Sequence, residues 1–402
     1  MKRKQPNILI LTGDFGDGHK QAAYALQEAA NHQPGKHGLV NVVDMMELMS
    51  PKLHTISKQL FLRSLRSFPS LYRYVYEKTK KPGSSWTHVL HSVRLFSTKK
   101  LCRLIDTLRP DIVVSTFPIA AAAMSHLKSK KLCLLPTVTV ITDHTNHGYW
   151  LHPHTDHYIV ATEEVKSSLQ KHGVDTSKVT ADGIPIRIDF TLHYDKQLLC
   201  GKHGLNPELP TVMWMGGGYG FMGEDVPLIL DHLSERKKVQ VIVVCGRNER
   251  LLRHCLNRYG HLKHMVVTGF IEHVHELMAV SDFIITKSGG LTTAEALSQS
   301  LPMLLYRPLP GQEEDNARYL VNSGAAWLAE DKLQLQEQIQ LLLDYPELLS
   351  SMKKRIKELQ NHQSAHKALH TIHNIYYSHS SGHFVQEQEF AASLNRYKES
   401  SL

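Results

Sequence analysis

Thr286-Lys287-Ser288-Gly289-Gly290-Leu291-Thr292-Thr293-Ala294-Glu295-Ala296-Leu297, continued past Pro302 to Gly311-Gln312-Glu313-Glu314-Asp315-Asn316-Ala317, is the stretch that decides the fold. Phe283 to Thr286 reads as a buried strand, the glycine pair as a tight turn, and the segment opening at Thr292 as a helix. Met303 to Tyr306 is a second strand that leads into a second helix. Glycines at such a turn let backbone N–H groups approach an anion, and the helix N-terminus adds partial positive charge, which makes Ser288, Gly289, Gly290 and Thr292 candidate ligands of a phosphate. Glu295 lies one turn into the helix, where its carboxylate can accept hydrogen bonds from ribose hydroxyls. Gln312 and Glu313 start the next helix and can meet the hydroxyls of a sugar. A strand–Gly-Gly–helix turn by itself also marks an ordinary α/β crossover. The carboxylate, the Gln-Glu pair and a matching glycine turn upstream together suit a nucleotide-sugar site.

Working outward, apolar strands alternate with helix-length segments in two blocks. The first block comprises Asn7–Thr12, Leu39–Val43, Asp111–Ser115, Thr137–Thr142 and His157–Ala161. The second comprises Thr211–Met215, Val239–Cys245, His264–Thr268, Phe283–Thr286 and Met303–Tyr306. This alternation predicts an α/β protein with two parallel sheets, each covered by helices. The apolar pattern breaks between Phe190 and Pro210, which places the domain boundary there. At 402 residues the chain is long enough for two cores.

The net charge of +8 is uneven. Residues 51–100 carry eleven Lys or Arg and a single acid, Glu77, interleaved with Phe61, Phe68, Tyr72, Tyr74 and Tyr76. Such a segment suits either an anionic membrane surface or a solvated helical face, and no nucleic-acid-binding motif accompanies it. No run approaches the roughly 20 apolar residues of a membrane-spanning helix. The amino terminus passes directly into strand-like Asn7–Thr12, with no apolar signal segment before it. Five scattered cysteines, odd in number and without metal-knuckle spacing, fit a reducing, cytoplasmic setting. The histidines from His144 to His157 invite a metal reading, but they lack zinc-site spacing in a chain that holds 27 histidines, so no metal is assigned.

Three further motifs complete the pattern. Gly13-Asp14-Phe15-Gly16-Asp17-Gly18-His19 follows the first strand, Thr142-Asp143-His144-Thr145-Asn146-His147-Gly148-Tyr149-Trp150 follows the fourth, and Met215-Gly216-Gly217-Gly218 opens the second block. With the Ser288–Glu313 stretch they resemble the GT-B glycosyltransferases of family 28 type. The likeness is to the branch of monogalactosyldiacylglycerol synthases and processive diacylglycerol β-glucosyltransferases, and it spans Asn7 to Ala329. It implies a GT-B fold in which two Rossmann-like domains face each other across a cleft: an acceptor and membrane-facing domain (1–195), a UDP-sugar domain (196–360) and a helical tail (361–402) that packs back on the first domain. It implies an inverting, metal-independent enzyme, without cofactor, that moves a hexose from UDP-glucose or UDP-galactose to diacylglycerol. Such an enzyme would sit peripherally on the cytoplasmic face of the cell membrane, docked through segment 51–100.

By the same resemblance, His19 is the general base or a phosphate ligand, and Asp143, at a strand's carboxyl end, orients it or shares its work. Gly16, Gly217 and Gly218 meet the donor together with Ser288, Gly289, Gly290, Thr292, Glu295, Gln312 and Glu313, and Phe270 marks the uracil turn. His147 and Trp150 shape the acceptor pocket. His144 stands where an aromatic is expected. A polyprenyl-linked or soluble acceptor, or a UDP-sugar sensor with little catalysis, remains the alternative on the residues alone.

Overall fold

The computed structural model describes residues 5–14, 17–33, 35, 37–49, 69–80, 87–218, 220 and 225–380. Gly16, about half of the basic segment (51–68 and 81–86) and the polar end from His383 lie outside them.

Two six-stranded parallel sheets form the frame. The first orders its strands β2-β1-β3-β4-β5-β6, with β1 Ile8–Thr12, β2 Val40–Asp44, β3 Ile112–Ser115, β4 Thr137–Val140, β5 His157–Ile159 and β6 Val179–Thr180. The second runs β12-β11-β10-β7-β8-β9, with β7 Thr211–Met215, β8 Gln240–Val244, β9 Met265–Thr268, β10 Phe283–Thr286, β11 Met303–Tyr306 and β12 Ala326–Ala329. The unbroken apolar runs follow from burial on both faces. Along β1, Ile8 and Ile10 join one core with Ile112 and Val114, while Leu9 and Leu11 join the opposite core with Val113 and Phe117. β10 is central in its sheet: Ile285 sits beside Trp214 of β7 on one side and Leu304 of β11 on the other.

These two sheets are the paired architecture expected of a GT-B fold. The ten strands read from the sequence are all present, joined by β6 and β12. One difference bears on the site: β4 ends at Val140, and although the Ile141 N–H still bonds the Ile159 carbonyl, Thr142 leaves the ladder. The helix after β10 also opens earlier than read, at Gly290 rather than Thr292.

Strand order reverses between β1 and β3 in the first sheet and between β7 and β10 in the second. Open α/β sheets bind ligands outside the carboxyl ends of strands at such reversals. The loops that leave those ends carry His19, Gly217–Gly218 and Ser288–Gly290. Two crossings join the halves. Phe190, fully buried in the core of the second sheet, accepts at its carbonyl from Ser298 Oγ (3.0 Å) and Gln299 Nε2 (2.8 Å). On the return, Gln360 bonds to the carbonyl of Leu297 and Asn361 to that of Asp182, and the helix over 364–380 lays Ala368, Leu369 and Ile372 on the first sheet. Among the described residues no helix is long and apolar enough to cross a membrane.

Candidate active site

The turn after β10 leaves a helix N-terminus facing the cleft. Gly289 caps the helix Gly290–Ser298 in extended conformation and has open space where a side chain would project. Its neighbour Gly290 has none: a Cβ there would collide with the Thr142 carbonyl of the opposite domain and crowd Asp143. Gly218 repeats the constraint against Asp17, and Gly217 turns with φ +74°. Gly290 and Gly217 thus require glycine for backbone reasons, Gly218 packs against the Asp17 side chain, and Gly289 leaves the helix N-terminus open to the cleft.

The donor-side side chains divide by what they touch. Glu295 is buried one turn in, where loss of solvent pushes its carboxyl up to about 8, so it carries a proton at neutral pH and can donate as well as accept. Gln312 Oε1 accepts from Tyr149 Oη at 3.1 Å. Glu313 accepts from the Leu309 N–H (2.7 Å), and burial raises its carboxyl. Ser288 turns its hydroxyl away, donating to the Glu313 carbonyl (2.6 Å), so the contribution it offers a phosphate is its backbone. Thr292 stands in the first helical turn. Phe270 is exposed, with the Arg247 guanidinium 4.1 Å above its ring. Arg247 also pairs with Asp17 across the cleft.

On the acceptor side His19 lies in the first turn of the helix Asp17–Asn31, tilted against Phe117 and edge-on to Trp150. Burial lowers its pKa to about 4, leaving a neutral imidazole. Its ring is oriented by Thr142 Oγ1, 2.8 Å from Nδ1, instead of by Asp143. This is the consequence of β4 ending early: Thr142 turns toward His19, and Asp143 is carried past it to the other domain. Trp150 is fully buried and backs His19. His147, also fully buried, holds the helix Pro69–Thr79 through Nε2 and the Tyr76 carbonyl (2.8 Å), and its Nδ1 accepts from the Tyr149 N–H. His147 and Trp150 therefore support the pocket from behind. Tyr76, read from the sequence among aromatics suited to a bilayer, is buried and bonds Asp315 (3.0 Å) and Thr145 (3.1 Å).

Asp143 is the point of contact between the halves. Its carboxyl accepts from Asn316 Nδ2 (3.0 Å) and from the Gly290 N–H, and burial raises it to about 7. Asp315, next to Asn316 on the helix Gln312–Asn322, accepts from Tyr76 Oη and Thr145 Oγ1, both at 3.0 Å, and lies 3.5 Å from Lys80 Nζ. His144 stacks on Tyr319 at 4.3 Å and 13°, so it fills the aromatic position with its ring. The sequence reading named neither Asp315 nor Asn316 as functional, although both stand in the quoted stretch; Thr142 and Tyr76 carried no signal beyond their place in the motif and segment.

Comparison with known proteins agrees with this geometry. Residues 19–186 match the family model of monogalactosyldiacylglycerol (MGDG) synthase, and residues 211–369 that of the glycosyltransferase family 28 C-terminal domain. The chain is 34% identical over 367 residues to the processive diacylglycerol β-glucosyltransferase of Bacillus cytotoxicus, covering 90% of this chain and 92% of that one. It is 33% identical to the protein of the same name from Bacillus licheniformis, covering 91% and 94%. Among solved structures, the kitacinnamycin glycosyltransferase superposes with a TM-score of 0.62 at 11% identity over 93% of this chain and all of that one. The UDP complex of S. aureus MnaA gives 0.61 at 15% identity over 91% and 95%. These likenesses establish the GT-B frame.

Proposed function

The chain belongs to the family of monogalactosyldiacylglycerol synthases and processive diacylglycerol β-glucosyltransferases, and from that premise we propose that it transfers a hexose from a UDP-sugar to diacylglycerol with inversion. The observation that carries this reading is the meeting of the two halves at Asp143: an acceptor-side carboxyl lies against the amide of the donor-side glycine loop. A nucleophile held there is within reach of an anomeric carbon whose phosphate rests on that loop.

The donor lies on the second sheet, with uracil at Phe270, ribose at Glu295 and hexose at Gln312 and Glu313. Backbone amides of Gly217, Gly218, Ser288 and Gly289, with Thr292 in the opening turn, hold the diphosphate, and Gly290, whose N–H is taken by Asp143, lets the two domains approach. The acceptor hydroxyl attacks the anomeric carbon. Its oxygen forms the new glycosidic bond as the carbon–phosphate-oxygen bond breaks, and the electron pair leaves with UDP. The proton passes to His19 or to Asp143. His19 Nδ1 lies 2.8 Å from Thr142 Oγ1, and Asp143, held near 7, has the better matched proton affinity at neutral pH. Helix dipole and amides offset the charge on the leaving diphosphate without a cation.

The donor sugar is glucose or galactose, and the enzyme works peripherally on the cytoplasmic face of the cell membrane. Residues 1–195 take up the acceptor, 196–360 the donor, and the tail from 361 braces the first domain. Segment 51–100 docks on anionic lipid; exposed Arg73 and Tyr74 support this, with Lys78 lying over the Tyr74 ring. The test is incubation, with EDTA present, with radiolabelled UDP-glucose or UDP-galactose and anionic vesicles containing diacylglycerol, followed by lipid extraction. Label in the organic phase is the expected result. Protein that binds UDP yet labels no lipid with either donor would overturn the lipid acceptor.

A further inference from the structure

Asn316 is fully buried at the seam between the domains, and its carboxamide spends every hydrogen bond on that seam. Nδ2 donates to Asp143 Oδ1 (3.0 Å) on the acceptor side and to the Ser288 carbonyl (2.8 Å) on the donor side. Oδ1 accepts from the His144 N–H (2.6 Å). The nitrogen faces two acceptors and the oxygen faces a donor, so the partners fix the orientation of the amide. No other side chain of this size offers that set: aspartate lacks both donors, and leucine lacks all three bonds. The site has two further properties. Asp143 follows the end of β4 at Val140, and the Ser288 carbonyl belongs to the turn that precedes the helix Gly290–Ser298.

We propose that Asn316 is a positioning residue for glycosyl transfer: by bridging Ser288 and Asp143 it sets the Asp143 carboxyl against the donor loop when the domains meet, and so couples donor-loop geometry to proton removal. The inference rests on the assignment of Asp143 to the chemistry. The bridge does two things to that carboxyl. It fixes the direction of one oxygen, and it favours the ionised form among acidic neighbours. Glu313 and Asp315 of the same helix face Asp143 and disfavour its charge, Tyr76 of the helix Pro69–Thr79 faces it with a neutral hydroxyl, and the Gly290 N–H favours the charge from the donor side.

The test is the pH dependence of turnover on diacylglycerol vesicles for Asn316→Asp, with UDP affinity measured by calorimetry on the same protein. Replacing the amide by a carboxylate of equal size removes the donor and adds a like charge beside Asp143. We expect kcat to fall by about 10- to 100-fold at pH 7, its acid limb to move up by about one pH unit, and UDP affinity to stay within about threefold. Asn316→Ser, which keeps one donor, is the second variant should the first fail to fold; its limb is expected to move less in the same direction. A lower rate with the limb in place, in whichever variant folds, means a merely structural residue and overturns the proposal. Asp143→Asn, assayed in parallel, separates the two readings. If it is inactive while the Asn316 variants keep the wild-type limb, the positioning role fails alone. If it turns over like wild type, Asp143 is outside the chemistry and both readings fall.

Discussion

Asp143 and His144 are adjacent and meet the seam in opposite ways. Asp143 buries a carboxyl with partners; His144 buries a ring whose two nitrogens have no hydrogen-bond partner among the described residues, stacked on Tyr319. An unpaired buried polar atom costs roughly 1–3 kcal/mol. His144→Phe keeps the stack and removes those atoms, so it is expected to raise the melting temperature by a few degrees and leave turnover within about threefold. A melting temperature that falls would show that the imidazole makes a bond the ring geometry does not account for. For Asp143 the sign follows from linkage. Its folded pKa, about 7, exceeds the ordinary 3.8, so the folded state binds more protons between those values. The stability this group contributes is full below about pH 4 and is lost as pH rises through about 7. Asp143→Asn removes that slope: relative to wild type it should gain on the order of 3 kcal/mol between pH 4 and pH 8, read by thermal melts, while turnover falls by about 100-fold or more.

At the scale of elements, the helix Gly290–Ser298 shows what two adjacent glycines are for. Gly290 touches the other domain, and Gly289 faces open cleft. Gly289→Ala is therefore expected to fold with an unchanged melting temperature and to lose about 10-fold or more in UDP affinity, because its methyl group lies in the space assigned to the diphosphate. Gly290→Ala is expected to lower turnover chiefly, by pushing Thr142 and Asp143 away. Equal UDP affinity for Gly289→Ala and wild type, by calorimetry, would move the diphosphate off this turn. These elements were mostly legible in the sequence. The central strands carry apolar runs that only a sheet buried on both faces explains, and Phe283-Ile284-Ile285-Thr286 is the type case. β12, Ala-Trp-Leu-Ala, lacks the β-branched residues that signal a strand, and β6 is two residues long. The early end of β4 was illegible too. Ile141 and Thr142 have strand propensity, yet Thr142 bonds a histidine 123 residues earlier in the chain.

At the scale of the whole molecule, what the sequence lacked is the relation of its two halves. The glycine turns and Glu295 were readable because each sits in a local motif, whereas Asn316 and Asp315 act on residues about 170 or more positions away, across a cleft that no local pattern encodes. Asp315 is the test of that relation. Tyr76, Thr145 and Lys80, all of the first domain, converge on its carboxylate, so one side chain at the start of the helix Gln312–Asn322 gathers three contacts of the closed arrangement. In the closed cleft the acceptor hydroxyl competes with water for the anomeric carbon, and closure favours the acceptor by excluding water. Asp315→Ala removes the three partners without touching the glycine turns. It should therefore leave UDP affinity within about threefold while loosening closure. The expected signature is a changed product ratio: total turnover several-fold lower, and free hexose released from the UDP-sugar rising relative to glycolipid by about fivefold or more. Both products come from one radiolabelled donor, partitioned between water and organic solvent in a single assay. A lower rate with an unchanged ratio would mean that these contacts stabilise the fold without guarding the reaction. A raised share of hydrolysis would show that the seam built around Asp315 and Asn316 is what keeps water from the sugar.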